Sequence, residues 1–216
     1  MGSLRGPYAK TAETKRRIVD CATDFFAREG YRGATMKDIA AAAGLTAKGL
    51  GHHFPTKDEL LMAVLDARDQ RDTWPGSQAK SQVDVIQALV DIMVRNAAEP
   101  RLVEFHTVVS AEATATTHPA HEHLRERYAL IRDMLADGFS VRSEDGGQMA
   151  MSAEDLATLS VAVLDGLQIQ WLYDRESVDL PRLVRAFLTM MLSAAPPADP
   201  DEVHQRPAET TPPKSH

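Results

Sequence analysis

TMKDIAAAAGLTAKGLGHHFPTK, residues 35–57, reads as two short helices joined by a tight turn. Thr35 is placed to cap the first helix, with Asp38 three residues on in a near capping-box arrangement. Ile39, Ala40 and Ala43 share one face of it. Gly44 stands where the helix must stop in a left-handed conformation, which a residue without a Cβ adopts at little cost. Leu45 turns back to the core, Thr46 caps the second helix, Leu50 and Phe54 supply its buried side, and Pro55 ends it. Small residues at 40–44 allow the helices to cross closely. That layout is a helix-turn-helix, whose second helix fits a DNA major groove.

On the N-terminal side, the spacing predicts a helix from about Thr11 to Gly30. Ile18, Cys21, Ala22, Phe25 and Phe26 form one apolar stripe, and Gly30 with Gly33 turns the chain. Residues 1–10 (MGSLRGPYAK) read as a flexible basic arm, either a disordered terminus or an arm touching phosphate or the minor groove. On the C-terminal side, Thr56 to Glu59 is a capping box that opens a fourth helix. Leu60, Leu61, Val64 and Leu65 are its apolar side, and it runs to about Thr73, where Trp74-Pro75-Gly76 breaks it.

Amphipathic helices follow. Val85, Ile86, Leu89, Val90 and Met93 mark one from Ser81; Leu102, Phe105, His106 and Val109 mark another opened by Pro100. Leu124, Tyr128, Ile131, Met134 and Leu135 mark a long one ending near Gly138, before a turn-rich stretch to Met149. Behind Ser152 come two stripes, Leu156/Leu159/Val163/Leu167/Trp171 and Val161/Leu164/Gln168/Leu172. A helix apolar on two sides must be covered on two sides. The last helix, after Asp179, carries Leu183, Val184, Phe187, Leu188 and Met191. From Ala195 the chain holds 6 of its 12 prolines and no apolar periodicity, the composition of a disordered tail. The expected fold is all-α with about nine helices: a three-helix head over 11–56, a helical bundle over 57–194 and a tail over 195–216.

Charge distribution narrows the partner. The net charge of -7 argues against nucleic acid when taken whole. Residues 1–57, however, hold 10 Lys/Arg against 5 Asp/Glu, a balance of +5, which leaves -12 for the rest. A basic head on an acidic body meets DNA head first. A single cysteine, Cys21, excludes an internal disulfide framework and suits a reducing cytoplasm. Cys21 lies within the apolar stripe and reads as a packing residue. No secretory leader or membrane-spanning run is evident, so a cytoplasmic protein without a membrane partner is expected.

The matching positions Thr35, Lys37, Ile39, Ala40, Ala43-Gly44-Leu45, Leu50, His52-His53-Phe54-Pro55 and Lys57-Asp58-Glu59-Leu60 resemble the DNA-binding head of the TetR family of one-component transcriptional regulators. The HHFPTKDEL continuation at a fixed distance behind the turn is the most specific part. DGLQIQWL at 165–172 and DLPRL at 179–183 also resemble the C-terminal half of actinobacterial-type members. The resemblance implies that Thr35 and Thr46 contact phosphate and Lys37 a base or phosphate. It also implies that Ala47, Lys48, Gly49, Gly51 and His52 face the groove, and that Lys57 grips the backbone. Family members usually carry a tyrosine where this chain has Gly51. Gly51 and Gly49 each cost about 1 kcal/mol of helix propensity relative to Ala. Two readings stand: close approach of the backbone to the duplex, or a weakened reader.

The resemblance further implies a homodimer on a palindromic double-stranded operator and an internal cavity for a small-molecule effector, with the fourth helix as transmission element. Repression released by ligand is the family default. Candidate pocket residues are Met93, Phe105, His106, Val109, Tyr128, Met134, Gln168 and Trp171, apolar walls with polar handles that suit an apolar or aromatic ligand. Candidate dimer residues on the last two helices are Leu164, Gln168, Leu172, Phe187 and Met191. No metal or other cofactor is expected. Adjacent His52 and His53 point about 100° apart, and His118, His121 and His123 read as a surface cluster. No nucleophile–base pair has sensible spacing, so an enzyme is not expected. An architectural DNA protein without sequence preference, or one without a ligand response, is the competing class.

Overall fold

The computed structural model describes residues 7–71, 81–140 and 151–193. Among them are nine α-helices and no strand: α1 (Pro7–Gly33), α2 (Met36–Ala42), α3 (Ala47–Gly51), α4 (Lys57–Arg71), α5 (Gln82–Ala98), α6 (Pro100–Glu112), α7 (His121–Phe139), α8 (Ala153–Tyr173) and α9 (Leu180–Ser193). The fold class is the all-α one expected. The break at Trp74-Pro75-Gly76, most of the turn-rich stretch and the tail from Ala195 lie outside the described residues, as do residues 1–6 of the arm. The arm's remainder is helical from Pro7, and Phe139, read as part of the turn, is a buried residue of α7.

Local signals place the helix ends. Thr35 Oγ1 accepts from the Asp38 N–H, Thr46 Oγ1 from Gly49 and Ser152 Oγ from Asp155. Ser81 and Asp84 form a reciprocal capping box. At the first turn of the motif, Gly44 has φ 68°, Leu45 N–H donates to Ala40 C=O at 2.8 Å and Gly44 N–H to Ala41 C=O at 3.0 Å. That double bond pattern is the Schellman stop the motif needs.

Two buried clusters follow from the stripes. One joins Ile18, Ala22 and Phe26 of α1 with Ile39, Leu50, Leu60 and Leu61, and continues into Phe105 and Val109 of α6. The other gathers Val85, Leu89, Met93, Leu135, Leu156, Trp171 and Val184 in the body. α1 packs extensively on α6, with Phe26 and Phe105 ring centroids 6.4 Å apart. Head and body therefore meet across a continuous apolar seam.

Polar contacts lock that seam at Gly30. Its φ of 68° and ψ of 176° interrupt α1, a backbone region nearly confined to glycine. The following Tyr31 N–H donates to Glu112 Oε2 at 2.7 Å. A Cβ on Gly30 would lie 2.7 Å from Glu112 Oε1. Gly30→Ala is expected to cost about 2 kcal/mol from backbone strain and the displaced carboxylate. Urea unfolding measures it; an unchanged midpoint would mean that the junction relaxes freely.

Candidate nucleic-acid interface and internal cavity

α3 is a short helix anchored on one side only. Leu50 is fully buried in the head core, while Ala47, Lys48 and His52 are exposed. Lys48 and His52 stand one turn apart and so share the outward face. Thr35, Lys37 and Thr46 are exposed as well, and Gly49 and Gly51 are half-buried. Both threonine oxygens accept a cap hydrogen bond, and the Thr35 O–H in turn donates to Asp38 Oδ2 at 2.5 Å. His53 is half-buried beside the exposed His52.

The glycines of α3 differ in their surroundings. A Cβ on Gly49 would lie 3.3 Å from Thr46 Oγ1, tight against the cap, whereas one on Gly51 would meet nothing within 4 Å. Packing inside the chain does not require glycine at 51. Lys57, expected to grip the DNA backbone, is half-buried. Its ammonium donates to Tyr31 C=O at 2.8 Å and Ala34 C=O at 3.0 Å, and lies 4.4 Å from the Tyr31 ring centroid. It ties α4 to the end of α1. Tyr31 also bonds Asp58, and burial together with that carboxylate pushes its phenol up to about 12.

The body holds a cavity of about 110 Å³ among α4, α5, α6, α7 and α8. Five of the residues expected there line it: Met93, His106, Tyr128, Met134 and Gln168. Phe105, Val109 and Trp171 do not. Phe105 and Val109 turn toward α1 and belong to the head's core. Trp171 packs in the body core under the Arg175 guanidinium, 5.1 Å from its ring centroid. Leu164 and Gln168, expected at a dimer face, line the cavity instead. Gln168 Oε1 lies 3.5 Å from Asn96 Nδ2. Leu172, Phe187 and Met191 are half-buried against the body core. The outward apolar residues of α8 and α9 are Leu159, Ile169, Tyr173 and Met190, at 44%, 42%, 89% and 62% exposure.

Sequence reasoning missed the charged lining of the cavity: Arg68, Arg127 and Asp165. Arg68 Nη1 donates to His106 Nδ1 at 2.6 Å, so the imidazole proton resides on Nε2. Nε2 lies 3.4 Å from Tyr128 Oη and 3.7 Å from Asp165 Oδ1, and Tyr128 Oη donates to Asp165 Oδ2 at 2.7 Å. Burial, reinforced by Arg68, lowers His106 to about 4. Burial and the Asp165 charge raise Tyr128 to about 12. Burial opposes ionisation of Asp165, but the His106 and Tyr128 hydrogen bonds hold its carboxyl below the ordinary value. The register carried a signal: Arg68 continues the Leu61/Val64/Leu65 face, and Asp165 sits within the Val161/Leu164/Gln168 stripe.

The histidines near α7 are not a surface cluster. His118 is buried and its Nδ1 accepts from Ala120 N–H at 3.2 Å, while His121 Nδ1 lies 2.8 Å from Ala113 C=O. His123 Nε2 lies 3.1 Å from Asp69 Oδ2, and Asp69 also pairs with Arg127. Their separate positions serve the α6–α7 turn and the α4–α7 contact. Burial, then Asp24 and Asp20, push the Cys21 thiol up, the opposite of an activated thiolate. No helix among the described residues is long and apolar enough to cross a membrane.

Residues 18–64 match the family profile described as bacterial regulatory proteins, tetR family. The regulator CymR of Pseudomonas putida is 25% identical over 183 residues, spanning 81% of this chain and 87% of that one. SrpR of Pseudomonas putida is 42% identical over 60 residues, 28% of either chain. Salmonella enterica GusR superposes with a TM-score of 0.69 at 22% identity, covering 89% of this chain and all of that one. CymR and SrpR are HTH-type transcriptional regulators.

Proposed function

From a chain whose DNA-binding head is that of the TetR family of transcriptional regulators, we propose a ligand-responsive homodimer that reads a palindromic operator and represses transcription until a small molecule releases it. One observation carries this reading. The exposed Lys48 and His52 face and the polar wall of the cavity are joined by a single helix, α4, through Arg68. The readers are Lys37, Lys48 and His52, with Thr35 and Thr46 on phosphate and the glycines 49 and 51 permitting close approach. Lysine donates to guanine O6 and N7, and histidine donates or accepts at base edges. Selection from a randomised duplex pool tests the reading. Enrichment of an inverted repeat supports it; retention without sequence preference supports an architectural DNA-binding protein instead.

The dimer forms on the outward face of α8 and α9. Leu159, Ile169, Tyr173 and Met190 expose a stripe that a single chain leaves wet, and a Cβ on Gly166, between Leu159 and Tyr173, would meet nothing within 4 Å. A symmetric pair of these helices covers both stripes at once. Ile169→Lys is expected to shift the protein from dimer to monomer at micromolar concentration in analytical ultracentrifugation, because it buries an ammonium at the centre. A variant that stays dimeric would place the interface elsewhere. The ligand shifts the head equilibrium only by its differential affinity for the two conformers.

A further inference from the structure

The cavity is largely apolar, with Arg68, Arg127 and Asp165 as its charged lining residues, and Arg127 is paired with Asp69 outside that lining. Arg68 is 8% exposed, and its Nη1 hydrogen bond goes to a neutral imidazole 2.6 Å away. A guanidinium binds a carboxylate far better than an imidazole, through two charge-assisted bonds in one plane. Tyr128 already occupies an oxygen of Asp165, on the other side of His106. Apart from Asn96 and Gln168, whose amides lie 3.5 Å from each other, the remaining wall, Leu89, Met93, Ile131 and Leu135 among others, is apolar. A volume of about 110 Å³ suits a single ring or a chain of similar bulk.

We propose that the effector is a small apolar carboxylate, an aromatic or short-chain acid, whose carboxylate takes the Arg68 guanidinium from His106. The inference rests on the ligand-responsive reading and names its ligand class. It also makes charge recognition and signal transmission the work of one residue. Arg68 is carried on α4, four residues beyond Val64, which is packed in the head's core. Drawing the guanidinium toward the ligand breaks the α4–α6 tie at His106. The α4–α7 tie, Asp69 to Arg127 and His123, lies one residue further along and stays. The helix then pivots about the second tie, and the head moves with it.

Benzoate and hexanoate, with benzamide, hexanamide and hexylamine as matched controls, test the class on the full-length dimer. The two acids are expected to raise the melting temperature saturably and to weaken operator binding about tenfold or more, the scale of one coupled site; the controls are expected to do neither. Asp165→Asn, which keeps an acceptor for Tyr128, removes a like charge and is expected to tighten acid binding about threefold or more. Arg68→Met is expected to abolish it. Should Arg68→Met not fold, Asp165→Asn decides alone. Amides that match the acids would show that charge is not read. Binding of hexylamine that Asp165→Asn abolishes would make the site cationic-ligand specific. Either result overturns the carboxylate class, as does silence of both acids at millimolar concentration. If in that case other small molecules still release the operator, the ligand-responsive reading survives; if a broad library moves neither readout, both fall.

Discussion

Lys48→Ala is expected to weaken binding to the selected operator by about 2–6 kcal/mol over the two half-sites, roughly thirty-fold or more. The reasoning starts from the exposure of Lys48 on a helix whose opposite side, Leu50, is locked into the head core. Removing the side chain therefore removes the proposed reader without touching packing. A base contact and a phosphate contact separate cleanly. Loss of a base contact relaxes sequence preference at one position, whereas loss of a phosphate contact weakens all sequences alike and lowers the salt slope by about 1. Fluorescence anisotropy against the operator and single-base variants, at several salt concentrations, distinguishes them. His52→Ala, one turn on, is expected to act in the same direction with a smaller loss. Operator affinity unchanged in both variants, with the helical content intact, would remove α3 as the reader.

Acid is expected to destabilise the fold in a window that one residue sets. His106 titrates at about 4 in the native protein, against about 6.5 in an unfolded chain. Between those values the unfolded state binds more protons, so stability rises with pH across the window. The contribution is complete above about 6.5 and is lost as pH falls toward 4. A difference of this size is worth about 3 kcal/mol. Burial is the main cause and the Arg68 charge adds to it. His118, also lowered by burial, acts in the same direction. Urea unfolding at pH 7, 5.5 and 4.5 measures the slope. His106→Gln, which can still accept from Arg68, is expected to flatten it, while His118 accounts for the remainder. A slope that His106→Gln leaves intact would move the acid sensitivity to other groups.

The head was legible in the sequence because its signals are short-range. Thr35, Gly44, Thr46 and the Thr56–Glu59 box act within three or four residues of themselves, and each forms the cap or stop that its residue type favours. Part of the cavity was legible for a different reason. Met93, Tyr128, Met134 and Gln168 lie on stripes whose body-facing side periodicity reveals. Arg68 and Asp165 were passed over because charged residues on apolar faces look like interruptions, although each sits in register with the wall it completes. Lys57 was read as a phosphate grip; which acceptors its long stem reaches is a question of where Tyr31 and Ala34 lie, 26 and 23 positions away.

The sequence by itself determined the order of the nine described helices and the caps and glycine stop of the head, consequences of capping, backbone freedom at glycine and 3.6-residue periodicity. Tertiary structure alone decided how the two-sided helices divide their faces. On α6, Phe105 turns to the head while His106, about 100° around the same helix, turns to the cavity. On α8, Leu164, Asp165 and Gln168 face inward and Ile169 and Tyr173 outward. Periodicity states that a stripe is apolar. Only the packing of distant segments, chosen by shape and by the desolvation of charges such as Arg68, states what the stripe is apolar against.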